Sequence, residues 1–250
     1  MSALTRFSLP LVLVLVLAAF SLGSAQAAPG DNAPAPAPAA VNFPVGFYVG
    51  DAQQPTTSHV AKLGSDISFP QGRFDGALLG LSGRVPLTGK LSIPVTESYF
   101  VAFRFMPATG TVELVPDGDV TGTTQVLTGK DTNCKQTGTN LCADSEVTAK
   151  VFVKLSNVKV DGKPLDVGPD CRTAQPAEVT LKALLPLAFP APPAKVTTTF
   201  TTPPFAGCVG HEDYSRLFTG LVSGPGNTLT TDLVLRCVGS SGPNGCGTAP

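Results

Sequence analysis

The chain has 250 residues, of which 42% are apolar and only 14% charged, and its charges nearly cancel to a net −1. That is enough apolar material for a core in one large domain or two small ones, while sparse, balanced charge argues against a nucleic-acid partner, which requires clustered Lys and Arg. With 26 Gly, 24 Pro, two Met and no Trp, the composition favours a turn-rich all-β chain over a helical bundle.

The first predicted element is a signal peptide over residues 1–28. Arg6 sits in a short polar start, and an apolar run follows from Leu9 through Leu22. A membrane-spanning helix needs roughly 20 apolar residues and a signal segment about 7 to 15, and Ala25-Gln26-Ala27 offers the small side chains a signal peptidase accepts. Cleavage is expected after Ala27 or Ala28, leaving no integral membrane segment. No cysteine stands near that point for lipid attachment, and Ser240 to Pro250 lacks the hydrophobic tail of an anchoring signal. The product is expected to be secreted, with non-covalent retention at the cell envelope as the alternative.

Residues 29–40, with Ala33-Pro34-Ala35-Pro36-Ala37-Pro38, read as a semi-extended spacer, because proline donates no backbone hydrogen bond. Residues 41–250 then read as a secreted all-β domain in which apolar residues recur with period two. Glu146 to Leu155 shows this best. Val147, Ala149, Val151, Val153 and Leu155 share one face, Glu146, Thr148, Lys150 and Lys154 take the other, and Phe152 is the exception. The same pattern predicts a buried face at Leu91, Ile93 and Val95, at Tyr99, Val101, Phe103 and Phe105, at Val179, Leu181 and Ala183, and at Leu229, Leu233 and Leu235.

Turn chemistry separates these runs. Asp161-Gly162 suits the positive φ angles of a two-residue hairpin turn, and Pro94 and Pro164, which cannot donate to a ladder, belong on edges or at bulges. The polar segment 131–145 is either a long hairpin tip or a boundary between two lobes. One short helix is expected at Glu212 to Thr219, with Glu212 and Asp213 in its first turn, where the helix dipole favours negative charge, and Gly220 at its end. The architecture expected is a Greek-key β-sandwich of immunoglobulin-like kind, or two packed β lobes, with one short helix near the C-terminus.

Six cysteines in an exported chain read as three disulfides, although six allow fifteen pairings. Local loops favour Cys134 with Cys142, Cys171 with Cys208, and Cys237 with Cys246. Zinc is the weaker reading, since no cysteine pair has CxxC spacing and His59 and His211 fall outside any ligand pattern.

The search for chemistry yields no constellation, so no catalytic residue, metal ligand or cofactor is expected. Ser58 and His59 are adjacent, but no Gly-x-Ser-x-Gly elbow exposes a nucleophile, and neighbours in sequence do not by themselves make a triad. His211-Glu212-Asp213 has Ser215 where a metalloprotease helix would place its second histidine. Asp117-Gly118-Asp119 opens like a calcium loop, yet Thr121 to Thr124 bring no further carboxylate, and a β-turn is the default. Gly224-Pro225-Gly226-Asn227 lacks the Lys of a phosphate loop and reads as a turn. Lys150, Lys154, Lys159 and Lys163 form the one basic run, spaced as solvent-facing strand positions are.

Three stretches carry a resemblance: Leu155-Ser156-Asn157-Val158-Lys159-Val160-Asp161-Gly162-Lys163-Pro164-Leu165-Asp166-Val167-Gly168-Pro169-Asp170-Cys171-Arg172-Thr173, then Pro203-Pro204-Phe205-Ala206-Gly207-Cys208, then Val222-Ser223-Gly224-Pro225-Gly226-Asn227. Together they resemble a group of exported actinobacterial proteins without an assigned biochemical function, with weaker similarity over Leu87 to Pro116. The resemblance implies secretion and a β-rich fold, lends weight to pairing Cys171 with Cys208, and transfers no catalytic or ligand residue. The leading expectation is a non-enzymatic envelope or extracellular β protein whose partner is a cell-envelope component or another extracellular protein. The alternatives are a secreted hydrolase acting on envelope glycans or esters, and a lipid-binding or membrane-inserting β protein suggested by strands apolar on both faces, such as Tyr99 to Met106.

Overall fold

The computed structural model describes residues 42–103, 105–129, 134–240 and 245–247. The cleavage point at Ala27 and Ala28 and the spacer at 29–40 lie outside the described residues. In chain order the strands are β1 (Asn42–Val49), β2 (Thr56–Val60), β3 (Ser65–Phe69), β4 (Gly72–Leu79), β5 (Arg84–Ser92), β6 (Thr96–Ala102), β7 (Met106–Pro116), β8 (Val120–Thr128), β9 (Leu141–Val160), β10 (Lys163–Pro164), β11 (Arg172–Thr173), β12 (Ala177–Pro186), β13 (Ala194–Thr202), β14 (Phe205–Ala206) and β15 (Gly224–Val238). A single α-helix among the described residues, α1 (Ser215–Val222), precedes β15, and a 3-10 turn occupies Cys134–Thr137.

The fold is all-β, and its strands form one antiparallel sheet arranged in two storeys. In the lower storey β1, β4, β5, β8, β9 and β12 pair in succession, and β1 also pairs with β15, which pairs with β13. The two ends of this eight-strand run, β12 and β13, lie side by side, and the Thr198 hydroxyl donates to the Thr180 carbonyl at 2.8 Å. Among the described residues no ladder joins these two edges, so the run curls into a barrel whose edge strands abut without backbone pairing. Eight strands enclose an interior just wide enough for side chains or one small ligand.

Above this ring the same course continues. β2 extends β1 along β15, β3 runs back toward β4, β6 extends β5, and β7 runs down β9 toward β8. The interruptions fall at residues 50–55, 70–71, 93–95 and 117–119, and β9 and β15 cross that level unbroken. With β1–β2, β3–β4, β5–β6 and β7–β8 each taken as one interrupted strand, chain neighbours are mostly sheet neighbours, so the long crossover of a Greek key has no place, and one curled sheet stands where two facing sheets were expected. β8 and β9 pair as a hairpin with Thr128 opposite Leu141, so the stretch Leu141–Ser145 belongs to β9 itself.

Glycine sets two close approaches in this wall. A Cβ on Gly46 would lie 2.6 Å from Arg236 Nη2, and the guanidinium uses that vacancy to cross β1 and pair with Asp75 on β4. Gly76 and Gly89 face each other across β4 and β5, and a Cβ on either would meet the Phe74 ring within 2.7 Å. Glycines inside strands commonly mark such approaches. Asp161 (φ 49°) and Gly162 (φ 73°) make the two-residue turn between β9 and β10.

Two further expectations change. The helix begins at Ser215, not Glu212, because the Val209–Asp213 bridge and the Tyr214 N–H donated to the Cys208 carbonyl hold residues 208–214 in a turn. Gly220 consequently lies within the helix, which ends at Val222. On β6 the buried face is Ser98, Phe100 and Ala102, so Tyr99, Phe103 and Phe105 face outward, and Val95 is exposed as well. Three disulfides are present, Cys134–Cys142 and Cys237–Cys246 near the lower end and Cys171–Cys208 beside β11 and β14.

Candidate functional site: an apolar interior cavity

The barrel interior is hollow. Its cavity has a volume of about 160 Å³ and runs through both storeys, from Leu185 and Leu233 below to Leu63 and Phe218 above. On β9 every second residue from Ser145 to Leu155 lines it. Ten strand residues at ~3.3 Å each place the ends of that lining roughly 33 Å apart along the strand, so the cavity is a long, narrow slot. Val147, Ala149 and Leu181 point inward yet are only half-buried, because they face the slot rather than packed neighbours. The period-two faces read at Val147–Leu155, Val179–Ala183 and Leu91–Ile93 supply much of its wall.

The few polar liners are Thr56, Ser58, Ser145, Thr202 and Thr231. Most are already engaged with the protein. Thr56 and Thr231 share a hydroxyl–hydroxyl bond of 2.7 Å, Ser145 bonds Thr124 at 2.6 Å, and the Thr202 hydroxyl accepts from Asn227 Nδ2 at 2.8 Å. Satisfied hydroxyls offer an incoming polar group little, whereas an apolar guest gains from leaving water. A cavity of comparable size lined by Leu, Ile and Phe stays dry and takes up apolar molecules.

Helix α1 closes the upper end. Phe218, Leu221 and Val222 face the slot, and the Phe218 ring stacks obliquely on Phe205 with centroids 6.0 Å apart. The helix is tied to β14 by the Phe205 N–H donated to Thr219 Oγ1 at 2.9 Å, and Lys62 Nζ reaches the Thr219 carbonyl at 3.5 Å, where the helix dipole favours a cation. Asn227, 1% exposed, secures the adjoining wall. Its Oδ1 accepts from the Ala61 N–H, and its Nδ2 donates to Thr202 and to the Gly224 carbonyl. Sequence reading passed over this residue as part of a turn.

The outer face has the opposite character. Lys150 pairs with Glu178, Lys182 with Glu146, Arg84 with Asp144 and Lys154 with Glu113. Phe152, the exception in the β9 pattern, lies outside under the Arg172 guanidinium, 4.4 Å from its ring centre. A membrane barrel shows lipid an apolar outer band and keeps its polar residues inside, the reverse of this arrangement. No helix among the described residues is long and apolar enough to cross a membrane.

The remaining sequence candidates do not converge on the slot. Ser58 lines it, while His59, the next residue, faces out and bonds Asp66 across β2 and β3 at 2.7 Å. Alternation along one strand thus separates the two members a triad would need. His211, Glu212 and Asp213 lie in the exposed turn before α1, and Ser215 holds the Asp213 carboxyl below its ordinary range through hydrogen bonds from its hydroxyl and its backbone N–H. Asp117, Gly118 and Asp119 form the exposed link from β7 to β8, and no cluster of metal-ligating side chains occurs among the described residues. Compared with protein-family models, with curated proteins and with solved structures, the chain matches none.

Proposed function

We propose that this chain is an exported, non-enzymatic β protein that holds an apolar, chain-like ligand of the lipid class within its barrel. The observation that carries the reading is the slot itself: long, narrow, walled by apolar side chains, and with most of its few hydroxyls bonded to protein partners. Three disulfides agree with an oxidising destination. The apolar segment with its Ala25-Gln26-Ala27 site and the resemblance to exported actinobacterial proteins support secretion, and a lipid-bearing cell envelope is the partner this chemistry suits. The hydrolase alternative gains no support from the slot, whose lining includes neither a carboxylate nor an imidazole.

The test is equilibrium binding of a fluorescent fatty acid, parinaric acid, to the mature protein and to Ala149→Phe, which puts a ring into the middle of the slot. One probe per chain is expected for the native protein, with affinity lowered at least ~10-fold in the variant, or ~1.4 kcal/mol. Absence of saturable binding, or equal binding by a variant whose circular dichroism and melting are unchanged, overturns the proposal.

A further inference from the structure

Among the described residues, the β6–β7 hairpin is where large aromatic side chains gather on the outside. Tyr99, Phe103 and Phe105 are 62%, 50% and 76% exposed, and Val101 and Pro107 pair across the strands between them. Their opposite face is ordinary barrel interior, with Phe100 lining the slot and Ala102 and Ala108 buried. The tip is tight. Phe105 donates its N–H to the Ala102 carbonyl at 3.2 Å, and Phe103 holds φ at 54°. A bulky residue in the left-handed region is strained where Gly or Asn would be at ease, so the turn keeps a phenyl ring at a conformational cost.

Two neighbouring features suggest what the rings meet. Tyr99 lies opposite Thr109 on β7, which lies opposite Lys159 on β9, and Lys163 follows one turn later. Lys150 and Lys154 of the same run are matched by glutamates, but among the described residues no ion pair includes Lys159 or Lys163. The acids on this side are Glu97 farther down β6, Asp161 in the turn, Glu113 at the far end of β7, which pairs with Lys154, and Asp66 on β3, which bonds His59. Exposed aromatics beside unmatched lysines fit the boundary between headgroups and acyl chains, where rings bury and ammonium groups reach anionic phosphate.

The second feature is a seam in the wall. Among the described residues β3 pairs only with β2 and β6 only with β7, and the bond joining β3 to β6 is the Thr96 hydroxyl donated to the Ser68 carbonyl at 2.9 Å. Ile67 and Phe69 on one side of this seam and Phe100 on the other all line the slot. We infer that the β6–β7 hairpin docks on an anionic lipid surface and that the adjoining β3–β6 seam passes the apolar ligand between that surface and the slot. The inference rests on the proposed apolar-ligand function. Edge-to-edge pairing with a second copy is the rival occupant, but the exposed rings flank the turn, beyond the edge that such pairing would use.

The chain has no tryptophan, so Phe105→Trp installs a unique reporter. Vesicles of phosphatidylcholine with phosphatidylglycerol should shift its emission to the blue and make it quenchable by brominated acyl chains. In Phe103→Ser/Phe105→Ser, vesicle capture should fall at least ~10-fold and the rate of parinaric acid transfer from vesicles should fall with it, while affinity for the probe in plain buffer stays unchanged. A tryptophan that does not respond to vesicles, or a double variant that takes probe from vesicles as fast as the native protein, overturns the inference. So does a reporter whose emission follows protein concentration rather than lipid, which would identify the edge as a self-association surface. A reporter that responds to vesicles in a protein that binds no probe supports docking and overturns the slot as a ligand site, so the two readings fail separately.

Discussion

Asn227 shows what a single side chain can carry when buried. Its amide satisfies partners on three segments: the residue after β2, the end of β13 and the start of β15. Replacing it with Ala leaves the Ala61 N–H and the Thr202 hydroxyl without those partners, at about 1–3 kcal/mol for each unsatisfied group. The urea midpoint of Asn227→Ala should fall accordingly while the m-value holds. Gly46 tests the opposite case, a side chain that must be absent. Gly46→Ala brings a Cβ against Arg236 and Cys237, and the expected loss is roughly 1–3 kcal/mol from overpacking, with no more than ~1 from a partly exposed ion pair. Arg236→Ala alone should cost less than Gly46→Ala.

At the scale of elements, α1 offers a stabilising change. Gly220 is helical and exposed, and a Cβ there would meet no atom within 4 Å. Gly220→Ala should therefore raise stability by ~0.5–1 kcal/mol, read from the melting temperature. The turn before the helix adds a pH dependence. The Asp213 carboxyl is held below its ordinary range by Ser215. Its contribution is present above the unfolded-state pKa and is lost as the pH falls through the lower folded one. Asp213→Asn should flatten that part of the acid-unfolding profile and leave stability at neutral pH little affected, since the group is fully exposed.

Elements also differ in how far the sequence discloses them. β9 was legible because its inward positions from Val147 to Leu155 are uniformly apolar and its outward ones mostly charged, which fixes the phase of the alternation. β6 was not. Tyr99, Phe100, Val101, Ala102 and Phe103 are apolar without interruption, so either face could be the inner one, and register with β7 and β9 decides it. The start of α1 was misplaced because the bridge from Val209 to Asp213 joins residues whose pairing no helix signal announces.

For the whole molecule, the all-β class followed from composition and period, but closure and the cavity did not. A packed interior and a hollow one require the same inward apolar residues, and a ring of eight strands permits either, so the outcome rests on how far the side chains fill the space they enclose. Binding provides a global readout. A ligand that occupies only the folded slot must raise stability with its concentration, by ~2.7 kcal/mol at one hundred times its dissociation constant, and the melting temperature rises with it. That rise should vanish in Ala149→Phe.

The positions of the disulfides bear on how such a barrel could yield. Around the upper storey, Cys171–Cys208 joins the β11 side to the segment leading into α1, with a sequence separation of 37. A closed loop of that length constrains the unfolded chain by about 4 kcal/mol on the entropy model. The β3–β6 side has no covalent counterpart, only the Thr96 hydroxyl. The upper storey is thus a jaw stapled at its back and latched at its front by one hydrogen bond, and a force that parts it will spread the front first, on the side where the aromatic tip stands.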